Sequence, residues 1–127
     1  MSRTRKILLI DSDPAASYMI TMILKLNHFE VSPYSDPDLA LLDFEKGLYD
    51  LILVDLDIKG MNGFELYKRM RQIDDKVHVC FMTNPRAMYL DEFKTTFPDL
   101  PQTSLTEKPV GTDDLLEILR LNLADNQ

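Results

Sequence analysis

The chain has 127 residues, enough for one ordinary domain that buries about two-thirds of its unfolded surface, and 45% hydrophobic against 28% charged residues exclude a disordered or fibrous chain. A formal charge of −7 and a pI near 4.7 set the average surface against a phosphate backbone, so no direct nucleic-acid partner is expected. No apolar run approaches a membrane span or a signal core, and the single cysteine, Cys80, allows no internal disulfide; the expectation is a soluble, cytoplasmic protein without membrane contact.

The basic start, Arg3, Arg5 and Lys6, reads as a solvated end. It runs into KILLI, residues 6–10, whose unbroken apolar character predicts a strand buried on both faces. Asp13-Pro14 then offers a capping side chain and a pre-set first helical residue, and Tyr18, Met19, Met22, Ile23 and Leu26 fall on one apolar face of the helix that follows. FEVSPYS, residues 29–35, is a weaker strand, and Pro33, which cannot donate to a ladder, puts it at a sheet edge. Asp36-Pro37 repeats the helix-start signal.

LILVD, residues 51–55, is again continuous, but it ends in charge: Asp55 and Asp57 lead into a Gly60-Met61-Asn62-Gly63 turn. Leu66, Met70 and Ile73 mark the inner face of a third helix. HVCFM, residues 78–82, is another buried strand, and Asn84-Pro85 signals a fourth helix with Ala87, Leu90, Phe93 and Phe97 inward. Residues 97–103, with Pro98 and Pro101, carry no clear period, and SLTEK, residues 104–108, is a short strand. A last helix starts near Thr112, with Asp113 and Asp114 well placed in its first turn and Leu115, Ile118, Leu119 and Leu123 on its inner face.

Strand and helix thus alternate five times, which predicts an α/β fold with a parallel sheet covered on both faces. Right-handed crossovers and an edge position for the second strand give the order 2-1-3-4-5, the flavodoxin-like (βα)5 arrangement, with residues 1–127 as one domain and a core over about residues 5–124. In such a sheet the carboxyl ends of all strands meet along one rim, where ligands bind. That rim carries Asp11, Ser12 and Asp13, then Asp55 and Asp57, then Thr83 and Asn84, then Lys108. With strands roughly 4.8 Å apart, Asp11 and Asp55 are neighbours, Thr83 is one strand further on, and Lys108 is two strands away, within a flexible lysine's reach. Crowded carboxylates call for a cation, and a hard divalent ion such as Mg²⁺ suits oxygen ligands. A hydroxyl, an ammonium and a central carboxylate are what phosphoryl capture on an aspartate requires.

The motifs ILLID before an acidic cluster, DLILVDLDIKGMNGFEL, a strand ending in Thr83 and the Lys108-Pro109 pair, in this order, resemble the receiver domain of two-component response regulators over the whole chain. The resemblance implies that Asp55 is the phosphoacceptor, with Thr83 contacting the phosphoryl group and Lys108 as its ion-pair partner. It implies Mg²⁺ held by Asp11, Asp55 and the Asp57 backbone carbonyl, with Ser12 or Asp13 as a further contact, and a cis Lys108-Pro109 peptide as a candidate. The implied partners are a sensor histidine kinase or phosphotransfer protein and an unidentified downstream protein, and the only chemistry catalysed is the domain's own phosphorylation and dephosphorylation.

The chain departs from the family's usual residues at Ser12, in place of a second acid, at Lys59, at Asn84, and at Leu105, in place of an aromatic switch residue. These departures motivate a second expectation, a phosphorylation-independent binding module of the same fold. Asp13 also has a plain reading as the cap of the first helix, and Asp57 as a turn residue. VDLDIK resembles in addition the D-x-D start of haloacid-dehalogenase-type phosphatases, but Lys59 and the positions of the later acidic pairs argue against it. The loop DSDPAAS lacks the glycines of a flavin-phosphate cradle.

Overall fold

The computed structural model describes residues 3–108 and 110–123. Its elements are β1 (Lys6–Ile10), α1 (Pro14–Leu26), β2 (Glu30–Tyr34), α2 (Pro37–Asp43), β3 (Leu51–Asp55), α3 (Gly63–Ile73), β4 (His78–Thr83), α4 (Leu90–Thr96), β5 (Leu105–Glu107) and α5 (Thr112–Leu123), with 3₁₀ turns at Arg86–Met88 and Gln102–Ser104. The strands form one parallel sheet in the order β2-β1-β3-β4-β5. Pro33 lies in β2, at an edge, where its missing N–H costs no ladder bond.

Alternation along the strands divides the core in two. Leu8, Ile10, Ile52, Val54, Val79, Phe81 and Leu105 pack with α2, α3 and α4, while Ile7, Leu9, Leu51, Leu53, Cys80 and Met82 pack with α1 and α5. Both faces are covered, so these strands are apolar at every position rather than at every second one. The first face is aromatic: Phe64 stands edge-on to Phe81 at 4.8 Å, and Tyr67, Phe93 and Phe97 complete the cluster. Burial pushes the Cys80 thiol up to about 12, so it serves as a small hydrophobe.

Asp13 and Asp36 cap α1 and α2 as their Pro signals predict, each accepting from the backbone N–H two residues on. The third such pair does otherwise. Pro85 is extended, at φ −83° and ψ 147°, the Asn84-Pro85 peptide is cis, and α4 begins only at Leu90 after the 3₁₀ turn. Ala87 is therefore exposed rather than inward, although Phe93 and Phe97 are buried. The expected cis bond at Lys108-Pro109 lies outside the described residues.

The inner face of α1 also differs from expectation. Ile20 and Leu24 are buried, with Ile23 packed against them, whereas Tyr18 and Leu26 are 70% and 73% exposed and Met19 and Met22 also face outward. This helix is apolar on nearly all sides, so two stripes compete in its sequence, and the branched Ile20, Ile23 and Leu24 fill the groove over β1 and β3. In α3, Phe64 and Tyr67 join Leu66 and Met70 inside, while Ile73 at the helix end is exposed. Arg3 is not a free end: its guanidinium forks onto the Asp50 carboxylate, which also accepts from the Lys6 N–H, tying β1 to the start of β3.

Two glycines shape the connection from β3 to α3. Gly60 has φ +101°, open to glycine and strained for other residues. Gly63 lets α3 start against the strand it follows: a Cβ there would lie 2.9 Å from Leu56 Cδ2 and 3.1 Å from the Asp55 carbonyl oxygen. Gly63→Ala is expected to destabilise the fold by about 1–3 kcal/mol through this overlap, seen as a lower urea midpoint with an unchanged slope; a midpoint at or above wild type would show that α3 shifts freely.

Candidate functional site

Each rim residue is set by the backbone pairing beneath it. The register Ile10↔Val54 brings Asp11 and Asp55 side by side just beyond it, and the Asp11 N–H is fixed by the Tyr34 carbonyl at 3.0 Å. β4 continues to Thr83, whose carbonyl accepts from the Lys108 N–H at 2.8 Å and so holds Lys108 beside it beyond β5. Asp11, Asp55 and Thr83 are 1%, 3% and 0% exposed, so the chemistry of the rim is sunk in the protein rather than displayed on it.

Lys108 joins the two buried acids. Its Nζ donates to Asp55 Oδ2 at 3.0 Å and lies 3.5 Å from Asp11 Oδ2. The second contact is an ion pair without hydrogen-bond geometry, and Asp11 Oδ2 is buried with no hydrogen-bond donor. The remaining oxygens accept from the backbone two residues on, Asp11 Oδ1 from the Asp13 N–H and Asp55 Oδ1 from the Asp57 N–H, both at 2.9 Å. Burial raises the Asp11 carboxyl above its ordinary value, more than the Asp13 N–H and the Lys108 charge lower it. Burial would lower the Lys108 ammonium, but its bond to Asp55 and the charge of Asp11 hold it above the usual lysine value.

Of the expected site residues, Asp11 and Asp55 thus converge on the Lys108 ammonium, while Thr83 joins the same rim through its carbonyl bond to the Lys108 N–H and through its hydroxyl, 3.5 Å from Asp57 Oδ2. Asp13 lines the cleft next to it, but one of its oxygens caps α1. Ser12 is half-buried between them. The Asp57 side chain is not the free turn carboxylate its position suggests, because Oδ1 accepts from the Tyr89 hydroxyl at 3.0 Å and Oδ2 lies 3.5 Å from Thr83 Oγ1. That bond raises the Tyr89 phenol above its ordinary value. Tyr89 was invisible as a rim residue in the sequence: a helix started at Asn84-Pro85 leaves it off the apolar face, whereas the actual start at Leu90 puts it at the junction of the 3₁₀ turn and α4, its ring edge-on to Phe64.

The donor set bears on a metal. Among the described residues no three His, Cys, Asp or Glu side chains converge on one point. Two buried carboxylates do, sharing the single charge of Lys108, and Asp11 Oδ2 lacks a hydrogen-bond donor, a donor set that fits a hard cation taking its other ligands from backbone and water. Beside the acids opens a cleft of about 320 Å³ lined by Asp13, Ala16, Met19, Asp57, Asn84 and Lys108 among others.

Comparison with known proteins points the same way as this geometry. The family model described as the response regulator receiver domain matches residues 7–120. The DNA-binding response regulator MtrA of Mycolicibacterium smegmatis is 32% identical over 79 residues, which are 62% of this chain and 34% of that protein. Sporulation initiation phosphotransferase F of Bacillus subtilis is 31% identical over 78 residues, 61% of this chain and 63% of that protein. The chain therefore spans less than two-thirds of these curated relatives. A solved CheY-like receiver domain protein from Methanospirillum hungatei JF-1 superposes with a TM-score of 0.82 at 24% identity, covering 95% of this chain and 94% of that one.

The raised Asp11 carboxyl carries a stability consequence. A folded-state value above the ordinary 3.8 means that the folded protein holds the proton more tightly than the unfolded chain. The associated stability is present below the unfolded value and lost as pH rises through the folded one, so ionised Asp11 opposes folding at neutral pH. Asp11→Asn, which keeps an acceptor for the Asp13 N–H, is expected to stabilise the fold at pH 7 by on the order of 1 kcal/mol. Urea melts should show that gain shrinking as pH falls toward 3.8; a loss of stability at pH 7 would mean the Lys108 pair outweighs burial.

Proposed function

The chain belongs to the response regulator receiver family, and from that premise we propose that it is a phosphorylation-dependent signalling switch with Asp55 as acceptor. The observation that carries the proposal is the pairing of Lys108 with two buried acids, Asp55 at 3.0 Å and Asp11 at 3.5 Å, beside a Thr hydroxyl at the end of the adjoining strand. A sensor histidine kinase or phosphotransfer protein presents a phosphohistidine. An Asp55 oxygen attacks phosphorus, the P–N bond breaks, the electron pair leaves on the imidazole nitrogen, and an aspartyl phosphate forms. Lys108 and Thr83 supply the ammonium and hydroxyl that bind the new phosphoryl oxygens, and the Asp57 N–H fixes the acceptor's rotamer.

Mg²⁺ belongs to the same proposal. Asp11 and Asp55 would hold it through their carboxylates and Asp57 through its backbone carbonyl, with Ser12 or Asp13 nearby; bound there, it offsets the charge that gathers as phosphate meets carboxylate. Asp13's part as a cap and the serine at position 12 make the site poor in charge, so weak affinity is part of the expectation. Output runs through protein–protein contact, the catalysis extends only to the domain's own phosphorylation and dephosphorylation, and the setting is cytoplasmic. Among the described residues no helix is long and apolar enough to cross a membrane.

One observation favours the second expectation, a binding module that works without phosphorylation: Lys108 already pairs with both buried acids, occupying the place a metal would take between them. The two readings separate in one experiment. Incubation with Mg²⁺ and a small phosphodonor such as acetyl phosphate, followed by intact mass spectrometry, is expected to show one added phosphoryl group, absent in Asp55→Ala and lost on chelation of the metal. Lys108→Met is expected to slow its formation by about 10²-fold. No adduct with small donors or with a cognate kinase, together with partner affinity unchanged in Asp55→Ala, would establish the phosphorylation-independent module instead.

A further inference from the structure

Asp57 is held differently from the two acids at Lys108. Its main chain is tied to the acceptor through its N–H on Asp55 Oδ1, while its side chain is tied across the rim to Tyr89, with the second carboxylate oxygen 3.5 Å from Thr83 Oγ1. Tyr89 is a junction of the backbone: its N–H closes the 3₁₀ turn on the Arg86 carbonyl, and its carbonyl accepts the first helical bond of α4 from Phe93. The turn is anchored in its own right, because the Arg86 side chain donates to the carbonyls of Leu105 and Gln102. An anion therefore sits beside the hydroxyl needed by an incoming phosphoryl oxygen, and a phenol belonging to another element keeps it there.

A phosphoryl group on Asp55 brings nearly two negative charges to this spot. Thr83 has one hydroxyl proton, and it cannot serve both the phosphoryl oxygen and the Asp57 carboxylate; the like charges repel, and the more exposed Asp57 is the one able to leave. We propose that Tyr89 is a positioning residue for phosphoryl uptake: its hydroxyl holds the Asp57 carboxylate against Thr83, beside the approach to Asp55, and phosphorylation expels that carboxylate and releases Tyr89 from the rim. The proposal rests on Asp55 being the acceptor and adds a residue outside the pocket that sets how readily the acceptor loads. It also makes the junction before α4 the first segment to sense the change.

Tyr89→Phe isolates the bond, because the ring can keep its edge contact with Phe64. Binding of beryllofluoride with Mg²⁺, a phosphoryl mimic, is expected to tighten about 3- to 10-fold in this variant through loss of one hydrogen bond to a partly solvated carboxylate. Asp57→Ala should tighten it as well, and adding Tyr89→Phe to Asp57→Ala should then change nothing further. In wild type, the ¹³Cζ resonance of Tyr89 should move on beryllofluoride binding toward the position of a phenol no longer bound to a carboxylate. If wild type binds the mimic but Tyr89→Phe leaves affinity unchanged or weaker, or acts equally in the Asp57→Ala background, Tyr89 does not work through Asp57 and the proposal is overturned while Asp55 stands. If wild type neither binds the mimic nor takes a phosphoryl group from a small donor, the acceptor role fails and this inference fails with it.

Discussion

Two carboxylates buried at adjacent strand ends need a positive partner, and the Lys108 ammonium supplies it. Asp11 and Asp55 are nearly inaccessible to water, and burial together with the neighbouring Asp55 charge raises the Asp11 carboxyl, against which the Lys108 charge works. The backbone bond from the Lys108 N–H to the Thr83 carbonyl delivers the ammonium from the other side of β4. That places the short β5 in the service of charge balance as much as of sheet extension, since its three residues end just where the lysine must turn inward. The compensation is incomplete, because one oxygen of Asp11 remains without a hydrogen-bond donor.

The fold gathers these charged ends along one rim. Parallel strands end together, and alternation puts Asp11 and Asp55 on the same side as Leu9 and Leu53, facing the groove between α1 and α5. Beneath them on that face the buried strand residues are Ile7, Leu9, Leu51, Leu53, Cys80 and Met82, all apolar. The opposite face, filled by Phe64, Phe81, Phe93 and Phe97, gives β4 and α3 a stiff support beneath the rim. Gly63 lets α3 approach so closely that its first turn borders the Asp55 carbonyl. Rigid packing below and polar loops above leave the loops as the part able to rearrange.

Strand order, sheet polarity and the meeting of Asp11, Asp55, Thr83 and Lys108 were legible because continuous apolar runs mark strands buried on both faces and a parallel sheet gathers their ends. Helix faces were less legible. In α1 the residues Tyr18, Met19, Met22 and Leu26 form as good a stripe as the one that packs, and which stripe turns inward is decided by fit against the sheet, a property of the tertiary structure. Asn84-Pro85 misled for a local reason: a proline can open a helix or stand extended before a 3₁₀ turn, and residue type does not choose between them. The displaced start of α4 then hid Tyr89, whose place on the rim depends on where the helix begins.

The pattern at Leu105 gains meaning from that hidden residue. Leu105 is buried in the aromatic core and has no polar group with which to follow events at Thr83. Tyr89 is linked to the same threonine through Asp57, and its ring is already lodged against Phe64. In the switch proposed above, the Tyr89 hydroxyl is bonded to the rim carboxylate before phosphorylation and released after it, while its ring keeps its edge contact with Phe64. The proposed route from the acceptor to α4 thus uses Asp57 and Tyr89 in place of an aromatic residue on β5. It requires a carboxylate that competes for the Thr83 hydroxyl and an element that moves when the carboxylate does, and the sequence places both between Asp57 and Leu90.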